Sequence, residues 1–146
     1  MMNYITKFFT GGLIVFSVVG IISCGNVQPE PVKLNADNCQ HCKMTIADLK
    51  FAVELITDKG RIYKFDDLKC MQMYQSENAL NNARFFVSDY TKPENFVKVE
   101  DAFFVSGGDV LSPMNGNVAA FSSKADAEKF AVEKNAKQLS WKEVNP

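Results

Sequence analysis

The first apolar run along the chain extends from Phe8 to Ile22, follows one basic residue, Lys7, and is interrupted by Gly11, Gly12 and Gly20. It is shorter than the roughly 20 apolar residues that carry a helix across a bilayer. With its basic start it predicts a leader over 1–23 rather than an element of the fold. The pattern then turns polar, with Pro29 and Pro31 breaking the stretch from Gly25 to Lys33. That composition predicts a flexible, extended tether over 24–38. Ordered structure is expected from about Cys39.

From Phe51 the positions alternate. Phe51 to Thr57 predicts a strand, Asp58-Lys59-Gly60 a hairpin turn, and Arg61 to Phe65 the return strand. Ile62 and Lys64 then share one face, and Tyr63 and Phe65 the other. Asp66 or Asp67 caps a helix, where an acid also suits the positive end of the helix dipole. Leu68, Met71 and Tyr74 recur at helical spacing, so the helix should run to about Glu77. The polar stretch Asn78 to Asn82 ends it, and Arg84 to Tyr90 predicts the next strand.

The second half repeats this plan. Ala102 to Ser106 is a strand, Asn115-Gly116 a turn, and Val118 to Phe121 a return strand. Ser123 caps a helix with Asp126 as its partner in a capping-box-like pair, and Ala127, Phe130 and Ala131 face inward. Gln138 to Lys142 closes the chain as a last strand. Gly60 and Phe65 are separated as Gly116 and Phe121 are, and each phenylalanine leads into a capped helix. The fold class is therefore α+β. Two related ββαβ units, about 39–92 and 96–146, pack as one small domain over 39–146, behind the leader and tether.

Charge adds little to this picture. Sixteen basic side chains face 17 acidic ones, and no basic stripe suggests a nucleic-acid partner. One histidine, no Ser-His-Asp set and no phosphate loop argue against an enzyme. The doublet Asp66-Asp67 reads as a cap rather than a catalytic pair. The leader's end changes more. Ile21-Ile22-Ser23-Cys24-Gly25 resembles the bacterial lipoprotein cleavage box, in which the chain is cut before the cysteine and lipid is attached to its sulfur. The expectation is an exported protein, lipid-anchored through Cys24 to the cell membrane or outer membrane and facing the periplasm or outer side.

The candidate chemistry lies in sulfur. Cys39-Gln40-His41-Cys42-Lys43-Met44 sets two thiols, an imidazole and a thioether in one short stretch. Cys70 and Met71 fall in the first turns of the first predicted helix, and Met114 in the loop Leu111 to Gly116. Three uses compete. A disulfide or thiol–disulfide protein using Cys39 and Cys42 is permitted in an exported chain, but no strand leads into the pair as in a redox site. Structural zinc would accept Cys39, Cys42, Cys70 and His41, and leaves the methionines unused. Cu(I) prefers soft thiolate and thioether donors and accounts for more of these residues. Met71 and Met73 equally fit a helix's buried stripe. A place near a helix N-terminus would lower the pKa of Cys70.

Taken in order, Cys39-x-x-Cys42-x-Met44, Phe65-Asp66-Asp67-x-x-Cys70-Met71, Ser88-Asp89-Tyr90, Ala102-Phe103-Phe104-Val105 and Pro113-Met114, behind a lipoprotein leader, resemble the NosL family. The resemblance implies a fold of two related ββαβ units. It implies a lipid-anchored, non-catalytic chaperone that binds Cu(I) and hands it to apo nitrous oxide reductase, with the help of a membrane maturation complex. Its metal-ligand candidates here are Cys39, Cys42, Met44, Cys70, Met71 and Met114. One position departs from the pattern. Many members carry glycine between the second cysteine and the methionine, where this chain has Lys43, which still permits an extended backbone.

Overall fold

A computed structural model describes residues 26–145; the leader and Cys24 lie outside the described residues. Strand β1 (Val53–Ile56) pairs antiparallel with β2 (Ile62–Phe65) on one side and with β3 (Arg84–Asp89) on the other. Helix α1 (Leu68–Glu77) connects β2 to β3. Strand β5 (Phe103–Ser106) is likewise central, between β6 (Val118–Phe121) and β7 (Lys137–Leu139), and helix α2 (Lys124–Glu133) joins those two. Each half is thus a ββαβ unit with its first strand in the middle. The registers also correspond: Val53 opposes Phe65 and Phe103 opposes Phe121. The two units meet where the Tyr90 N–H donates to Ala120 O at 2.8 Å.

The caps follow the sequence signals. The Asp67 side chain accepts from the N–H of Cys70, and that of Ser123 from the N–H of Asp126, satisfying amides that the first helical turn leaves unpaired. Phe65, Leu55, Met71, Val99 and Phe104 are fully buried in one shared core, and Phe121 in a second one under α2.

Four features differ from the sequence expectation. The first strand begins at Val53, because the Asp48 side chain accepts the Lys50 N–H and winds Leu49–Phe51 into a 3₁₀ turn. A further strand, β4 (Lys92–Lys98), returns along β3 and extends the first sheet to four strands. Its burial pattern is mostly exposed or partial, so its side chains carry no clean alternation. The chain's end is a strand only to Leu139. Ser140 and Glu143 then bond each other, with the Ser140 N–H donating to Glu143 Oε2 at 2.7 Å, and start a short helix α3 (Trp141–Val144). Finally, the stretch expected as tether lies partly on the sheet. Arg84 Nη2 donates to Val27 O, Lys64 Nζ donates to Pro31 O and pairs with Asp37, and Val32 is buried.

Beneath this strap is Glu54, 0 % exposed. Its Oε2 accepts the Glu30 N–H at 3.0 Å, while Oε1 has no partner. Burial, only partly offset by the Glu30 amide and the charge of Lys64, pushes its pKa up from 4.5 to about 7. The folded chain therefore holds this proton more tightly than the unfolded chain. Its contribution to stability is complete below about pH 4.5 and is lost as the pH rises through about 7. Glu54→Gln should flatten that slope in urea denaturation and add about 2 kcal/mol at pH 8. Identical slopes for the two proteins would exclude Glu54 as their source.

Candidate metal centre

The stretch from Asn38 to Thr45 is a closed turn, with those two residues forming an antiparallel bridge. The Cys39 N–H donates to Met44 O at 2.8 Å, and the Lys43 N–H donates back to Cys39 O at 3.0 Å. Closing so tight a loop requires one left-handed residue, and Lys43 supplies it at φ 63°. The backbone there is left-handed rather than extended, though Lys43 permits either. Glycine takes this conformation freely, whereas a residue with a Cβ is strained by about 1 kcal/mol. The Gln40 N–H donates to Lys64 O at 2.7 Å and fixes the turn to the edge of β2.

Cys70 arrives from the other side. It stands in the first turn of α1, where Asp67 Oδ1 accepts its N–H at 3.1 Å. The three sulfurs of Cys39, Cys42 and Cys70 lie within 4.8 Å of one another. All three are free thiols; Cys39 and Cys70 are buried and Cys42 is half-buried. An ion bonded to three sulfurs at about 2.3 Å, the length of a zinc–thiolate bond, would hold them about 4 Å apart. A slight inward movement of the side chains is enough.

Electrostatics here oppose the sequence expectation for Cys70. Burial, reinforced by the neighbouring Cys39 and Cys42, pushes its thiol well above the ordinary cysteine value rather than below it. Burial also raises Cys42, against which the Met44 N–H acts in the opposite direction. A cation that replaces the protons removes the reason for both shifts, so binding should release protons.

The other candidates separate. Met71 is fully buried, in the same apolar cluster as Cys39, Cys70, Phe65 and Leu68. Successive helical residues point about 100° apart, so Met71 does not follow the direction of Cys70 and fits the helix's buried stripe. Met44 is 49 % exposed at the mouth of the turn. Met114 is partly buried and packs against the cluster that holds Cys39 and Cys70. His41 is not among the converging ligand atoms; its Nδ1 lies 3.5 Å from Glu77 Oε2.

One connection has no counterpart in the sequence reading, which saw Asp67 only as a cap. Its second oxygen, Oδ2, accepts from Ser112 Oγ at 2.6 Å and from the N–H groups of Met114 and Gly116, both at 3.1 Å. The loop between β5 and β6 is thereby joined to the start of α1. The signal available in the sequence was Gly116, since a Cβ there would sit 3.0 Å from Asp67 Oδ2 and 3.2 Å from the Lys69 amide nitrogen.

The family described as NosL matches residues 31–146. Among solved structures, the chain is similar to the crystal structure of the copper chaperone NosL from Shewanella denitrificans, at 21 % identity and a TM-score of 0.68. That match covers 82 % of this chain and 96 % of the other, and it establishes a shared fold. No curated protein sequence matches the chain.

Proposed function

The chain belongs to the NosL family, and from that premise we propose that it is a copper chaperone. It binds Cu(I) as cargo between Cys39, Cys42 and Cys70, takes Met114 as a thioether donor, and delivers the ion to a cuproenzyme, nitrous oxide reductase. The observation that supports this reading is the convergence of three sulfurs within 4.8 Å. Three sulfur donors suit a soft monovalent ion, whereas a structural zinc site calls for four ligands in a closed tetrahedron. The remaining nitrogen candidate, His41, faces Glu77 instead.

The donor types also suit the proposed setting. A thioether is neutral at any pH and forms no disulfide, so it tolerates an oxidising compartment and lets go of its ion more readily than a thiolate. The lipid anchor on Cys24 would hold the domain at the outer face of a membrane, near the membrane maturation complex that we propose as its partner along with the apo-reductase.

The test is competition between the reduced protein and a Cu(I) chelator. Met114→Leu should weaken Cu(I) binding about tenfold, one neutral donor being worth about 1.4 kcal/mol, and leave circular dichroism and zinc binding unchanged. An unchanged Cu(I) affinity in Met114→Leu, together with zinc binding that disappears in Cys39→Ser and Cys42→Ser, would falsify the copper reading in favour of a zinc staple.

A further inference from the structure

Asp67 is 1 % exposed, and four donors converge on its carboxylate. On one side Oδ1 accepts the N–H of Cys70 at 3.1 Å. On the other, Oδ2 accepts Ser112 Oγ at 2.6 Å and the amides of Met114 and Gly116 at 3.1 Å each. An ionised carboxylate has about four lone-pair sites, and here Oδ2 takes three donors and Oδ1 one. A helix cap needs only the first. The equivalent position in the second unit shows what a plain cap looks like: Ser123 accepts the Asp126 N–H and, among the described residues, bonds no distant loop.

The loop it holds is built to be held. The Ser112 N–H donates to Asn117 Oδ1 at 3.1 Å, and the Asn117 N–H donates to Ser112 Oγ at 2.8 Å, which closes the loop on itself. Asn115 and Asn117 take left-handed backbone angles of φ 57° and 53°, which asparagine tolerates better than most residues. Gly116 lets the chain approach Asp67 closely: a Cβ there would sit 3.0 Å from Oδ2, a tight contact. The loop's free conformations are therefore few, and one carboxylate fixes its distance from the amide of Cys70.

We propose that Asp67 is a positioning residue of the metal centre: its two oxygens tie the amide of Cys70 in the first unit to the amide of Met114 in the second, so that the Met114 thioether is presented to the ion held by the cysteines. The proposal rests on the copper reading above. It assigns the seam between the two units a purpose, which is to bring a neutral donor from one unit to the thiols of the other. It also accounts for an acid buried beside a thiolate site, where a free negative charge would only add repulsion. Spread over four hydrogen bonds, the charge organises the site instead.

The experiment is a double-mutant cycle on Cu(I) affinity, measured on the reduced full-length protein by chelator competition. Asp67→Asn keeps the side chain's size but replaces one acceptor oxygen with a donor, so it cannot serve both sides. Residues that support metal ligands typically contribute about 10–100-fold in affinity; acting only through Met114, Asp67→Asn is expected at the lower end, about tenfold and no more than Met114→Leu itself. In the Met114→Leu background the same change should have no further effect, because the donor it positions is already absent. Sulfur coordination read by X-ray absorption should fall by one atom in Asp67→Asn, as in Met114→Leu. Ser112→Ala removes one loop contact while leaving the cap on Cys70 intact, and should show the same dependence on Met114 with a smaller effect. It decides the matter if Asp67→Asn does not fold.

Equal losses with and without the Met114 thioether, for either variant, overturn the proposal and leave Asp67 a structural cap; the copper reading survives that result. A wild-type protein that takes no Cu(I) from the chelator overturns the copper reading itself, and the positioning role with it.

Discussion

Phe65→Ala and Phe121→Ala each lower the free energy of unfolding by about 3–5 kcal/mol, the cost of emptying a fully buried aromatic site. The two residues are 0 % and 1 % exposed. Each ends the return strand of its unit, opposite the first residue of the central strand, and each leads into a helix cap. Phe65 packs against Tyr74 of α1 at 5.4 Å between ring centroids, and Phe121 against Phe130 of α2 at 5.1 Å and Tyr90 at 5.5 Å. Removing either ring takes away a main aromatic contact between hairpin and helix in that unit. Domains of this kind have only about 5–15 kcal/mol of total stability, so each variant should show a large fall in the urea midpoint. Losses below about 1 kcal/mol at both sites would mean that the rings do not anchor their helices and that the likeness of the two units is superficial.

Cys42→Ser should weaken Cu(I) binding by about 10²–10³-fold. Structural four-ligand sites bind zinc with about 10–16 kcal/mol, roughly 2.5–4 kcal/mol for each donor, and a tenfold change corresponds to about 1.4 kcal/mol. Cys42 is the cleanest of the three thiols to remove. It is half-buried, so a serine hydroxyl there still reaches water. The turn that carries it is closed by backbone bonds between Cys39, Lys43 and Met44 and fixed by Gln40 to Lys64, none of which uses a sulfur. Cys39→Ser and Cys70→Ser place a hydroxyl in a fully buried site and cost about 1–3 kcal/mol of stability besides. Chelator competition on all three, with circular dichroism as the folding control, should rank Cys42→Ser as the variant that loses metal while keeping its fold. A Cys42→Ser protein with wild-type affinity would remove Cys42 from the ligand set.

What could be read from the sequence is what local chemistry decides. The Phe65 and Phe121 strand ends and the caps at Asp67 and Ser123 each depend on a few consecutive residues, and the repeat follows from them. The last strand was misjudged because Ser140 and Glu143 pair over a stretch that also alternates like a strand. β4 escaped because its mostly exposed side chains leave no periodic trace. At the site, the cysteines announced themselves through spacing, but the spacing says nothing of depth. Burial reversed the expected acidity of Cys70 and set Met71 as deep as Cys39 and Cys70. The bonds from Asp67 to Ser112, Met114 and Gly116 cross between units, and no local pattern encodes a partner so far along the chain.

The depth of the sulfurs has a kinetic consequence. Cys39 and Cys70 lie at the bottom, Cys42 and Met114 partway up, and Met44 at the surface with 49 % of its area open. On the proposed copper reading, an acceptor's ligand would meet the exposed donors first, and stepwise exchange would leave the bonds to the buried thiolates until last. Such a gradient would set the order of release: Cys42 and Met114 would give up the ion before Cys39 and Cys70.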